Sequence, residues 1–227
     1  MSLTIFDFKD ERLYRPIDRI LGIDGYEWDM INAAAENAWK RCIYCFSKIN
    51  NVRFNSGGIQ PYHCIQYGMW LYFLSNEIFI SCEDKEEASH ICDKIFMVNM
   101  SITQMDIFYG HRMPDIFLPI HASASVFSPR AKIGNYFIFL QGCNVGLNNN
   151  SSYFPQIGDY VIMFVNSKII GNCHVGDHVV FSANSYIKDM DVPSHSIVFG
   201  QYPNVKIVAD KDNKIDTLLR QRFHLVD

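Results

Sequence analysis

Residues 157–187 read IGDYVIMFVNSKIIGNCHVGDHVVFSANSYI, and a bulky apolar side chain returns at every sixth position: Ile157, Met163, Ile169, Val175, Phe181 and Ile187. An α-helix repeats near 3.6 residues and a strand repeats at 2, so neither carries this pattern. A strict period of six describes a chain wound into triangular coils with three short faces to a turn, and it predicts a parallel β-helix. Followed towards the N-terminus, the frame runs through Val145, Phe139, Ile133, Phe127 and His121, which places two further coils ahead of it. His121 is the polar exception. Four residues after each bulky position the chain favours something small, at Ser125, Ala131, Cys143, Ser167, Cys173 and Ser185, because the corner of a narrow prism has little room. Gly134-Asn135, Gly158-Asp159 and Gly176-Asp177 directly follow bulky positions, and these residue types are expected to supply the positive φ of tight corners.

A chain of 227 residues with 48% apolar content can bury a sizeable core, and its length suits one domain plus an appendage. The formal net charge of −4 comes without a basic block, which argues against nucleic acid or an anionic membrane surface as the main partner. Residues 1–10 lack the basic and apolar regions of a signal peptide, so the protein is expected in the cytoplasm. The longest charge-poor stretch, 54–76, contains Gly57, Gly58, Gln60, Pro61, His63 and Gln66, and reads as a buried helix of a soluble protein rather than a membrane span. Seven cysteines scattered through apolar segments predict reduced thiols. The Cys42-x-x-Cys45 spacing has no second pair beside it and reads as packing, not as a metal site.

Helical patterns cover 26–48, 60–80 and 83–98, the last opening with acids that suit a helix N-terminus. A helical domain is therefore expected over 1–104, a β-helix over 105–208 and a tail over 209–227, an α+β arrangement. Residues 146–156, polar and then aromatic, read as a loop extruded from the coils. Asp212 to Phe223 reads as a closing helix that would cover the open end of the solenoid.

The run Ile120-His121-Ala122-Ser123-Ala124-Ser125-Val126, continued by Phe139-Leu140-Gln141 and Val145-Gly146, lies without a gap on the Asp-His-x-x-Gly coil and Leu-Gln-x-x-x-x-Gly continuation of the serine acetyltransferases. Val192-Pro193 and Gly200-Gln201-Tyr202-Pro203 are similar to that family's Val-Pro-Pro and Gly-x-Pro-Ala elements. Over roughly 105–208 the chain thus resembles a serine acetyltransferase of the hexapeptide-repeat acyltransferases. The resemblance implies a left-handed β-helix, acetyl-CoA as co-substrate, no metal, and a homotrimer, with a hexamer left open. It also implies His121 as catalytic base and Asp106 as the carboxylate that orients it. Fifteen residues is nearly one coil, so the two side chains are expected one above the other. An imidazole held in this way can take a proton from an acceptor hydroxyl. Backbone N–H groups at Gly146 and Leu147 would serve the oxyanion. Val165 and Ala183 match residues along the pantetheine arm, and Lys206 falls near a phosphate-binding arginine.

Two departures shape the expected acceptor. Ile120 stands where the family has an aspartate, and Tyr153-Phe154-Pro155 stands where its loop has Arg-His-Pro. A wall of Ile120, Tyr153 and Phe154 would leave a zwitterion unpaired at a cost of several kcal/mol. The expected acceptor is therefore a carbohydrate or nucleotide sugar, O-acetylated for surface polysaccharide. Serine O-acetylation and a catalytically inactive scaffold are the alternatives. His63, His90, His111, His195 and His224 read as structural or surface residues. His174 and His178, four apart on a β-helix, do not converge as metal ligands would.

Overall fold

The computed structural model describes residues 6–148 and 152–225. A 3₁₀ turn (Glu11–Leu13) and four helices come first: α1 (Arg15–Leu21), α2 (Gly25–Lys48), α3 (Cys64–Ser81) and α4 (Lys85–Thr103). A capping box starts α2, with the Asp24 carboxylate accepting the Glu27 N–H at 2.8 Å and the Glu27 carboxylate accepting the Asp24 N–H at 3.0 Å. Helix α3 is buried continuously from Gln66 to Ile78, as a helix apolar all round must be. The sequence pattern predicts α2, α3 and α4 but not α1, whose 7 residues are too few to display a period.

From Met105 the chain coils. Face one stacks β1 (Met105–Ile107), β3 (Ser125–Phe127), β6 (Asn144–Gly146), β9 (Lys168–Ile170) and β12 (Tyr186–Lys188). Face two stacks β2 (Phe117–Pro119), β5 (Phe137–Phe139), β8 (Ile162–Met163) and β11 (Val179–Phe181), and face three stacks β4 (Lys132–Ile133), β7 (Gln156–Ile157) and β10 (His174–Val175). Neighbours on each face pair in parallel. The long β13 (Ser196–Gln201) joins faces one and two by pairing with both β11 and β12, then folds back antiparallel on β14 (Asn204–Ala209). The result is a left-handed parallel β-helix of about five turns behind an N-terminal set of helices. Phe127, Phe139, Val145, Ile157, Met163, Ile169, Val175, Phe181 and Ile187 are all buried, and the small corner residues Ser125, Cys143, Ser167, Cys173 and Ser185 are buried beside them.

The corners correct one expectation. Gly134, Gly158 and Gly176 do not hold positive φ; the left-handed residues are Tyr136, Tyr160 and His178, two positions later. The glycines are there because coils approach closely: a Cβ on Gly134 would stand 2.5 Å from the Gly158 carbonyl carbon and oxygen. The Asn and Asp that follow tie coil to coil, with the Asn135 N–H donating to Asp159 Oδ1 at 2.6 Å and the Asp159 N–H to Asp177 Oδ1 at 2.8 Å. The left-handed positions stack their rings in a column, Tyr136 to Tyr160 to His178 to His195, at centroid spacings of 4.7, 4.5 and 4.8 Å.

The closing helix corrects another. Helix α5 (Lys214–Arg220) runs back along the side of the stack rather than over its open end. His178 Nε2 lies 3.3 Å from Asp216 Oδ1 on α5, and Phe223 packs edge-on against Tyr136 at 5.3 Å. The Asn50 N–H, just past α2, donates to the Arg222 carbonyl at 2.8 Å. Face two explains the path: its outward residues Leu118, Ile138, Ile162 and Val180 are apolar and buried, so that side is covered by chain rather than by water.

Candidate functional site

The first coil is longer than the others. Pro119 pairs with Phe139 and Met105 with Ser125, each 20 positions apart, whereas Phe127 and Val145 are 18 apart. The two extra residues fall in the corner 120–124. His121 is therefore not at an inward frame position, which belongs to Pro119. It sits in the enlarged corner, exposed, with φ at 49°. The polar exception in the six-residue frame is thus a corner projection. The extruded loop keeps the frame for a related reason, since Ile133 and Ile157 pair at 24 positions and Ile157 and Val175 at 18, so the loop adds a whole hexad.

His121 lines a cavity of about 560 Å³ between the first coil, the end of α2, the α2–α3 connection and the C-terminal tail. Ile120, Asn50, Arg53, His63 and Arg222 line it too, and among the described residues no aspartate or glutamate does. His63 is the N-cap of α3, its Nδ1 accepting the Gln66 N–H at 3.3 Å. Burial, and then the charge of Arg53, hold its pKa below the ordinary histidine value.

The other predicted site residues fall into two groups. Val165 and Ala183 share the edge of the prism that begins at the His121 corner: the Gly142 N–H donates to the Ser123 carbonyl at 2.9 Å, the Asn166 N–H to Gln141 at 2.9 Å and the Asn184 N–H to Val165 at 2.8 Å. Asp106 lies mid-β1 opposite Val126, half-buried, and burial raises its pKa. Among the described residues no hydrogen bond or ion pair joins Asp106 to His121. Gly146, at the end of β6, lies at the opposite corner of face one, where its carbonyl accepts the Gly171 N–H at 2.8 Å, and the neighbouring Leu147 is exposed. Lys206 is exposed on β14 opposite Phe199. Tyr153 is exposed, and Phe154 carries the Arg130 guanidinium 5.2 Å from its ring; neither lines the His121 cavity. Asn50, Arg53 and Arg222 were missed by the sequence reading, and no local signal could have found them, because only long-range contacts bring the tail to the end of α2. No three His, Cys, Asp or Glu side chains converge as a metal site requires among the described residues. Cys45 Sγ instead donates to the buried Phe117 carbonyl at 3.3 Å.

A helical domain leading into a β-helix of hexapeptide coils, with a histidine at the corner of the first, defines the fold of the hexapeptide-repeat acyltransferases. Within that class the chain is similar to serine acetyltransferases. It is 24% identical over 136 residues to the serine acetyltransferase of Staphylococcus xylosus, covering 59% of this chain and 60% of the relative. It is 24% identical over 145 residues to that of Synechococcus elongatus, covering 63% and 54%. The chain thus spans less than two thirds of the length of the curated relatives it matches. No protein-family model matches it. Among solved structures it superposes on serine acetyltransferase from Brucella abortus with a TM-score of 0.68 at 18% identity, covering 87% of this chain and 82% of that one. The Neisseria gonorrhoeae serine acetyltransferase in complex with serine gives 0.67 at 18%, covering 87% and 82%. The Brucella abortus enzyme in complex with coenzyme A gives 0.65 at 19%, covering 87% and 80%.

These relatives overturn the expected saccharide acceptor and the role in surface polysaccharide, since both sequence matches are serine acetyltransferases. The saccharide expectation rested on an acceptor wall of Ile120, Tyr153 and Phe154. Of the three only Ile120 lines the His121 cavity, and its neighbours there include two arginines rather than aromatic rings from the loop.

Proposed function

We propose that the chain is an acetyl-CoA-dependent serine O-acetyltransferase acting by direct transfer. The observation that carries this reading is the His121 corner. An exposed imidazole lines a cavity of about 560 Å³, ample for a serine molecule, that Arg53 and Arg222 also line, on the same edge of the prism as Val165 and Ala183. Similarity to serine acetyltransferases supports the chemistry, and neighbours solved with serine and with coenzyme A support the two substrates.

In this mechanism His121 takes the proton from the serine hydroxyl as its oxygen attacks the thioester carbonyl carbon. The tetrahedral intermediate collapses with cleavage of the C–S bond, and the imidazolium returns the proton to the departing thiolate, giving O-acetylserine and free CoA. Asp106 is the positioning carboxylate. With no side-chain hydrogen bond among the described residues, it has capacity for the His121 N–H, and its burial strengthens such a bond once the imidazolium forms. The N–H groups of Gly146 and Leu147 stay assigned to the oxyanion. They lie at the other corner of face one, so this assignment requires a neighbouring chain to bring them to His121, as a homotrimer would. Val165 and Ala183 flank the pantetheine arm, and Lys206 meets a phosphate as a point charge. The cytoplasm remains the assigned compartment, supported by cysteines that are all free; no helix among the described residues is long and apolar enough to cross a membrane.

Mass spectrometry of a reaction containing acetyl-CoA and L-serine tests the assignment. A product heavier than serine by one acetyl group is expected, and its absence while acetyl-CoA remains intact would refute it.

A further inference from the structure

The lining of the His121 cavity is one-sided in charge. Arg53 and Arg222 line it together with His63 and His121, and among the described residues no aspartate or glutamate does. Neither arginine side chain makes a hydrogen bond or ion pair among the described residues, so both are available to an incoming anion. Their backbones, by contrast, are fixed. The Arg222 carbonyl accepts the Asn50 N–H at 2.8 Å, and the His224 N–H donates to the Lys48 carbonyl at 2.8 Å; between them Phe223 is buried and bridges to Ile49. The Arg53 N–H donates to Asn51 Oδ1 at 2.9 Å, and the Arg53 carbonyl accepts from the side-chain amides of Gln60 and Gln66, each at 2.9 Å. A guanidinium carried on a backbone fixed in this way, and itself unpaired among the described residues, can close on a carboxylate with two parallel N–H···O bonds. Among the described lining residues an ammonium group finds no carboxylate, only neutral acceptors such as the Asn50 amide.

We propose that this site selects its acceptor by the carboxylate, which Arg222 grips from the C-terminal tail with Arg53 beside it, and makes little demand on the ammonium. The inference rests on the acetyl-transfer reading for its acceptor. It predicts that 3-hydroxy acids lacking the amino group bind, while amino alcohols lacking the carboxylate do not.

Calorimetric titration of the full chain with L-serine, 3-hydroxypropionate and ethanolamine tests this, with thiol release from acetyl-CoA followed in parallel. Serine and 3-hydroxypropionate should bind within roughly tenfold of one another, and ethanolamine at least about tenfold more weakly. Arg222→Met should weaken both carboxylates by roughly 10- to 100-fold, the span of a charge-assisted bidentate bond. Arg222→Lys should fall between, since it keeps the charge and loses the fork. Arg222 is exposed, so the thermal midpoint should not move, and a second variant, Arg53→Met, should show a smaller loss in the same direction. Unchanged carboxylate binding in Arg222→Met, ethanolamine binding as tightly as serine, or no carboxylate binding by the wild type would each overturn the proposal. Carboxylate binding without thiol release would leave it standing and refute acetyl transfer. Serine-dependent release indifferent to both substitutions would do the reverse.

Discussion

Gly134→Ala puts the close contact between coils to the test. An added Cβ would lie 2.5 Å from both the carbonyl carbon and oxygen of Gly158 and 2.5 Å from Asp159 Oδ1, so backbone, not a flexible side chain, must yield. The displaced corner carries two bonds, from the Gly134 N–H to the Ile157 carbonyl at 2.9 Å and from the Asn135 N–H to Asp159 Oδ1 at 2.6 Å. Overpacking of this kind costs about 1–3 kcal/mol, and weakening two bonds adds about 1 kcal/mol, for a total of about 3 kcal/mol. For a chain of this length that lowers the melting temperature by roughly 6–12 °C. Gly25→Ala is the matched control: a Cβ there has no atom within 4 Å, and the site opens α2. Alanine should be neutral or slightly stabilising at that position. Circular-dichroism melts at one fixed protein concentration give the comparison. Melting temperatures for the two variants within roughly 2 °C of each other would refute the packing account.

Asp106→Asn should raise stability and lower activity together. Burial raises the folded-state pKa of Asp106 above its unfolded value, so the folded chain holds that proton more tightly and loses stability as pH rises through this window. The asparagine variant should therefore melt higher than wild type at neutral pH, with the gain vanishing in acid below the unfolded carboxylate pKa; a gain equal at all pH values would contradict the assignment. Phe223→Ala should release the tail. The ring is 1% exposed and packs on Tyr136 at 5.3 Å, and its loss costs about 3 kcal/mol locally, or roughly a hundredfold in the open population. Tryptic cleavage after Arg220 and Arg222 should accelerate accordingly, and an unchanged rate would show that Phe223 does not hold the tail.

The six-residue frame made the β-helix legible because every bulky position from Phe127 to Ile187 faces one shared interior, and local repetition encodes that directly. Misreadings arose where a residue's reason lies in another coil. Glycine after a bulky residue looked like a conformational need, yet at Gly134 and Gly158 it reflects a neighbouring backbone 18 or 24 residues away. His121 fell on the frame only because the first coil is two residues longer than the frame assumes. The site was half legible. His121, Val165 and Ala183 do share one edge, whereas the cavity beside His121 is lined by Asn50, Arg53 and Arg222, which no spacing connects. The saccharide expectation was drawn from loop residues alone and could not include Arg53 from the α2–α3 connection or Arg222 from the tail.

Acetyl-CoA turnover by free-thiol release, with L-serine as acceptor, in wild type and His121→Ala, addresses the central claim most directly. The account predicts serine-dependent release in the wild type and a fall of roughly 10²- to 10⁴-fold in the variant, at unchanged melting temperature, as expected for loss of a general base. Serine-dependent release that persists undiminished in His121→Ala, or no release from a folded wild type that binds acetyl-CoA, would contradict it.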